Sequence, residues 1–417
     1  MDLAEDDQVA AFRAEVRAWL AVHAPASPLP SVDTAEGFEL HRAWEAELAA
    51  ARLSVVSWPE QYGGRGASLL DWLVFEEEYH AARGPVRVGQ NGLFVLAPTV
   101  FAHGTQDQRS RILPKMATGE EVWAQAWSEP EVGSDLAAIR SRAARADGGW
   151  LLSGQKTWSS RAVWADRGFG LFRTATGDRR HDGLTYFLFN LRGPGVTVRP
   201  IAQLDGEPGF AEIFLDEVFV PDADVLGDPG DGWRIAMSAA GHERGLTLRS
   251  PGRFVAAAAR LAELWQRVGD PADSGLADRV ADAWIGARAY QLRALETASQ
   301  PSADGFQGKG TSAPAAGQPR QAGQPGPARL DRGVVGRGAA AGRSAADSSL
   351  GKVFWSELDL ALHDTALDLL GADAELAAGP DASWLAGYLF ALAGPIYAGT
   401  NEIQRTVIAE RLLGMPR

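Results

Sequence analysis

Ala211-Glu212-Ile213-Phe214-Leu215-Asp216-Glu217-Val218-Phe219-Val220-Pro221 decides the architecture, because its apolar residues recur at the period of a strand and it stops at a proline that cannot donate to a ladder. Working outward, Trp150 to Thr157, Gly168 to Thr174, Leu184 to Phe189 and Val196 to Ile201 are short apolar or alternating runs of the same kind, separated by Gly, Asp and Pro. Such spacing is the pattern of antiparallel strands and hairpins. On either side the period turns helical. Before the strand region, Val9, Phe12, Val16, Leu20 and Val22 recur close to helical spacing between Asp6 and His23, and helices are expected at 35–53, 69–82 and 106–116, the last starting at Thr105. After it, helices are expected at 233–244, 254–268, 274–299, 350–370 and 401–413, with Phe354, Leu358, Leu362, Ala366 and Leu369 on one stripe. The fold expected is α+β and mostly α. It comprises an N-terminal helical domain (1–121), a central antiparallel β-domain (122–228) and a C-terminal helical bundle (229–417).

Composition narrows the function classes. A chain of 417 residues with 46% hydrophobic residues can build a sizeable core in two or three domains. A net charge of -13 argues against nucleic acid as the partner, while leaving room for a local cationic patch. With no cysteine, disulfides, thiolate metal sites and cysteine nucleophiles are excluded. No long uncharged apolar run or signal-like N-terminus occurs, so a soluble cytoplasmic protein without membrane insertion is the expectation. His80, His103, His181, His242 and His363 show no paired metal-ligand spacing, and no metal site is expected. No Walker loop or dinucleotide glycine motif follows a strand, which disfavours ATPase and nicotinamide chemistry. Residues 301–346, mostly Ala, Gly, Pro, Gln and Arg, carry too little apolar surface to offset ordering entropy. They read as a disordered insertion, or as a reading-frame slip in high-GC DNA.

Three strings carry chemistry. Gln125-Ala126-Trp127-Ser128-Glu129-Pro130-Glu131-Val132-Gly133-Ser134-Asp135 offers hydroxyls and a glycine turn that can present N–H groups to a heteroaromatic edge or a pyrophosphate, although such loops are mostly plain turns. Gly154-Gln155-Lys156-Thr157-Trp158-Ser159-Ser160 supplies an indole that can cover a ring face and a hydroxyl that can donate to a ring edge, although a lone strand Trp more often fills a core. The third is Ala398-Gly399-Thr400-Asn401-Glu402-Ile403-Gln404-Arg405.

At their spacing these strings resemble the acyl-CoA dehydrogenase family, and the similarity covers nearly the whole chain outside 301–346. The Trp58 to Gly66 segment, Ala102-His103-Gly104-Thr105, Gly195 to Pro200 and Gly232-Trp233 add to it. The resemblance implies FAD as cofactor, an acyl-CoA substrate, and α,β-desaturation in which a carboxylate takes the α-proton and flavin N5 the β-hydride. Electrons would pass to an electron-transfer flavoprotein. It implies flavin contacts at Ser128, Gly133, Ser134, Trp158, Ser160, Thr400 and Glu402, and a thioester carbonyl held by the Ala398 N–H. Alanine at 398 stands where common members carry the glutamate base; other members carry it on the helix after the β-domain, where this chain has Glu243. A plain surface glutamate paired to an arginine is the competing reading of Glu243. The family's Arg-x-x-Phe-Gly and Gln…Gly-Gly strings, which grip the adenosine half of FAD, are replaced here by Arg267-Val268-Gly269-Asp270-Pro271 and Leu369-Leu370-Gly371-Ala372-Asp373. A homo- or hetero-oligomer is therefore expected. The alternative function is a non-catalytic or half-site partner subunit of a hetero-oligomeric dehydrogenase, and a direct oxidase is disfavoured because large acyl-CoA oxidases carry a further domain.

Overall fold

The computed structural model describes residues 7–299, 332–376, 379 and 381–416, with backbone alone for 332–346. The N-terminal helices are α1 (Asp7–His23), α2 (Ala35–Ala50), α3 (Leu69–Ala81), α4 (Ala97–His103) and α5 (Gln106–Ala117). Capping boxes start two of them: Ser68 with Asp71 for α3, and Thr105 with Gln108 for α5, the start read from Thr105. A π-helical turn, Gly92–Leu96, leads into α4. Neither this turn nor α4 is legible in the sequence, because every residue from Gly92 to Val100 is buried and no polar face marks a period.

Eight strands form the central sheet: β1 (Trp123–Ala126), β2 (Arg142–Ala146), β3 (Gly149–Ser160), β4 (Arg167–Arg173), β5 (Leu184–Asn190), β6 (Val196–Ile201), β7 (Phe210–Pro221) and β8 (Val225–Leu226), in the order β6-β7-β3-β2-β4-β5-β8 with β1 beside β4. Most pairings are antiparallel, as the alternation implies. The exceptions are β1 with β4 and a single parallel pair, Arg142 with Arg173, between β2 and β4. The short strands β1, β2 and β8 escape the sequence reading, since four, five and two residues are too few to establish alternation. β5 is buried along both faces: Leu184, Tyr186 and Leu188 join a core shared with the N-terminal helices, while Phe187 and Phe189 join a core enclosed by the sheet.

The C-terminal helices are α6 (Gly232–Glu243), α7 (Gly252–Val268), α8 (Ser274–Ser299), α9 (Arg332–Leu370), α10 (Ala382–Leu392) and α11 (Asn401–Arg411). Phe254, Leu261, Ala287, Trp355, Leu362 and Trp384 from α7, α8, α9 and α10 build a third core. Ile235, Ala236 and Ala239 of α6 pack instead with the N-terminal helices and the sheet, which wedges α6 between the other layers. One expectation is corrected: the apolar stripe of α9 runs through Trp355, Leu358, Leu362 and Ala366, and Phe354 is 41% exposed. Of the expected insertion 301–346, the backbone of 332–346 lies within α9. Residues 301–331 lie outside the described residues.

Candidate active site

β1 runs into the loop that carries Ser128, Gly133 and Ser134. Glu129 and Val132 exchange backbone hydrogen bonds of 2.9 Å, closing a tight turn, and Gly133 and Ser134 stand exposed beyond it. The turn is fixed from below. Glu129 is buried and accepts the amides of Arg140 (2.6 Å) and Ser141 (2.9 Å) and the ammonium of Lys156 (3.0 Å). Lys156 is wholly buried on β3 and also donates to the carbonyls of Leu171 (2.8 Å) and Trp127 (3.3 Å). Burial lowers the Lys156 pKa to about 8 against the pull of Glu129. Burial by itself would push the Glu129 carboxyl up, but the Lys156 charge and the two amides hold it below its ordinary value. The pair locks the loop to β3.

β3 carries Trp158 and Ser160. The ladder to β7 shifts register between Lys156 and Ser159, and at that irregularity Thr157 donates its amide to the Ser128 carbonyl at 2.9 Å. The same irregularity turns Trp158 outward: its φ is +58° and its side chain is 60% exposed, with Phe210 edge-on at 5.9 Å. A bulky residue at positive φ with its ring in the open is held at a cost in strain and hydration. The structure thus brings Ser128, Trp158 and Ser160 together.

The C-terminal string forms a second centre. Ala398 has φ +56° and Gly399 φ +80°, a sharp turn held by buried Gln404, whose amide donates to the carbonyls of Ala398 (2.9 Å) and Gly399 (3.2 Å). Among the described residues the Ala398 N–H donates to no protein acceptor. Thr400 caps α11 by accepting from the Ile403 amide at 3.3 Å, and Glu402 lies exposed in the first turn. Its own amide and the Thr400 hydroxyl hold the Glu402 carboxyl below its usual range. Those amides are satisfied within the chain, which leaves hydroxyl and carboxylate oxygens rather than a free N–H pair at this helix start.

Glu243 ends α6. A Cβ built on Gly399 would come within 3.9 Å of the Arg244 guanidinium, so the Ala398 turn sits beside the residue that follows Glu243. Burial raises the Glu243 pKa against the charges of Arg249, Arg244 and Lys352 and the nearby Gln125 amide. Its position at a helix C-terminus works in the same direction. Gln125, on β1, ties this centre to the strand that runs into the Ser128 loop. Lys352 of α9 donates to Asn401 at 2.7 Å, and burial takes its pKa down to about 8. Sequence reading missed Gln125, Lys156, Arg249, Lys352 and Gln404. Gln125, Lys156 and Gln404 lie inside quoted strings, but nothing in a linear sequence says that a polar side chain points inward.

Comparison with known proteins settles the class. Family models match at residues 6–120 (acyl-CoA dehydrogenase, N-terminal domain), 124–218 (middle domain) and 332–413 (C-terminal domain). The chain is 37% identical to acyl-CoA dehydrogenase IpdE1 of Mycolicibacterium smegmatis over 98% of each chain. It is likewise 37% identical to IpdE1 of Mycobacterium tuberculosis over 97% of each. The solved ChsE4-ChsE5 complex of Mycobacterium tuberculosis superposes with a TM-score of 0.76 at 26% identity over all of both chains. The Tcur3481-Tcur3483 steroid dehydrogenase superposes at 0.78 and 22% identity over all of both chains, which speaks for the fold alone.

The protein belongs to the acyl-CoA dehydrogenase family. It is an FAD-dependent oxidoreductase that acts on acyl-CoA. Its residues fit the cofactor. The exposed Trp158 ring offers a flat face, and the loop beside it is open at Gly133, where an added Cβ would meet nothing within 4 Å. Among the described residues no helix is long and apolar enough to cross a membrane.

Proposed function

We propose that Glu243 is the base that takes the α-proton of a bound acyl-CoA. The observation that carries this reading is a carboxylate with a raised pKa at the end of α6, followed directly by Arg244, which reaches the strained Ala398–Gly399 turn whose first amide is free. A base whose pKa is raised toward neutrality holds a proton more readily when it takes one from a weak carbon acid. The Ala398 N–H donates to the thioester oxygen, where charge develops as the proton leaves. FAD, when bound, accepts the β-hydride. Ser128, Gly133, Ser134 and Ser160 would hold it by N–H and hydroxyl groups, with Trp158, Thr400 and Glu402 as further contacts, and its electrons would go to an electron-transfer flavoprotein. We take the domains as 1–121, 122–228 and 229–417, and the protein as a soluble cytoplasmic oligomer.

A second reading, a half-site partner subunit, draws on two observations. The adenosine-gripping strings are absent, and solved relatives include the paired ChsE4-ChsE5 and Tcur3481-Tcur3483 assemblies. The discriminating experiment is anaerobic flavin bleaching by a panel of acyl-CoAs with wild type and Glu243→Gln. The variant should keep FAD and lower the bleaching rate by several orders of magnitude. Equal rates on an accepted substrate remove Glu243 from the mechanism. Bound FAD that no acyl-CoA bleaches favours the partner reading.

A further inference from the structure

Around Glu243 the chain gathers more hydrogen-bond donors than it uses. Arg244 Nε, Arg249 Nε, Trp355 Nε1 and Tyr397 Oη are buried and have no hydrogen-bond partner among the described residues. They form one cluster. The Arg249 guanidinium lies 4.9 Å from the Trp355 ring centroid and 5.0 Å from that of Tyr397, whose rings stack at 5.9 Å, and Tyr397 immediately precedes Ala398. Arg244 reaches the same turn at Gly399. Glu243 is a single carboxylate for two arginines, and no ion pair within 4.0 Å joins it to either among the described residues.

Buried donors left unpaired destabilise a protein by roughly 1–3 kcal/mol each, more when charged, so a cluster of them marks a place where a ligand supplies the acceptors. The aromatic rings fix the Arg249 fork and shield it from water, which favours bidentate capture of a planar anion over a diffuse surface attraction. An unsubstituted aliphatic acyl chain has no oxygen to offer beyond its thioester carbonyl. We propose that Arg249, supported by Arg244, Trp355 and Tyr397, forms a subsite for a second carboxylate carried by the acyl group, so that the substrate class is the CoA thioester of a dicarboxylic acid. This rests on the reading of Glu243 and Ala398 as the reaction centre, and it places the second carboxylate a few bonds from the reacting carbons. The cations that receive it also separate it electrostatically from the Glu243 base.

The test uses FAD-loaded full-length protein, or its complex with a sibling subunit if FAD requires one, and calorimetric titration with succinyl-, glutaryl- and adipyl-CoA against butyryl-, pentanoyl- and hexanoyl-CoA. Wild type should bind at least one dicarboxylic thioester tenfold or more tightly than its unsubstituted counterpart of equal length. Arg249→Met, which keeps an apolar stem against the two rings, should lose that preference while its affinity for the unsubstituted thioesters changes less than threefold. Equal or better binding of the unsubstituted series by wild type overturns the subsite. So does a preference that survives in Arg249→Met, and so does a variant whose only change is a shifted pH profile for flavin bleaching, which would make Arg249 a tuner of Glu243. Absence of binding by every thioester removes the underlying acyl-CoA reading along with the subsite.

Discussion

At the residue scale the Lys156 ammonium is the contact on which the Ser128–Ser134 loop depends. Removing one member of a buried ion pair leaves the other charge uncompensated, which destabilises by roughly 3–5 kcal/mol. Lys156→Met is therefore expected to lower stability by about that amount and to release FAD, because Glu129, stripped of its cation, no longer holds the turn that presents Ser128 and Ser134. Lys156→Met with Glu129→Gln should recover part of both losses. Urea unfolding together with flavin content per chain measures them, and strictly additive effects of the two substitutions would show that the pair does not act as a unit. Trp158 and Ala398 are readable as site residues from their motifs. Their positive φ values are not, since backbone strain is imposed by the neighbours on each side and leaves no mark on residue type.

At the element scale, β3 is the organising strand. It pairs with β2 on one side and β7 on the other, and its irregularities aim Trp158 at the surface. Gly154 sits at the first of these, with φ +148° and space so tight that an added Cβ would fall 2.2 Å from Ser141 Oγ. Overpacking of this kind destabilises by roughly 1–3 kcal/mol. Gly154→Ala should shift the urea midpoint accordingly, and Ser141→Gly in that background should not restore it, because the Ser141 Cα would remain 2.8 Å from the added Cβ and the φ of +148° would stay strained. An unchanged midpoint in Gly154→Ala would mean that β3 tolerates a different course here. The long strands and most helices are legible because one face of each is buried and the period shows. α4, the Gly92–Leu96 turn and the two-residue β8 are not, for want of a polar face or of length.

At the scale of the whole molecule, the last helices expose several large apolar side chains. Phe390 is 50% exposed, Ile396 65% and Leu413 67%, all within the segment bearing the Ala398 turn. Apolar surface of that kind next to a functional site commonly marks a subunit contact. The protein, alone or co-expressed with a sibling dehydrogenase chain, is expected to form a dimer or tetramer by light scattering, and Phe390→Glu with Leu413→Glu to dissociate it and reduce bound FAD. Monomers in both preparations with full FAD content would defeat this expectation.

The sequence by itself determined the succession of helices, strands and helices, since hydrophobic period is a local property, and it located the strings that carry Ser128, Trp158, Glu243 and Ala398. What only the tertiary structure decided is which distant groups meet. Glu129 and Lys156 stand 27 residues apart and share one buried bond, Lys352 and Asn401 another across 49 residues, and Arg249 lies against the rings of both Trp355 and Tyr397. Such pairings are long-range, and their strength comes from the exclusion of water that only a closed interior supplies.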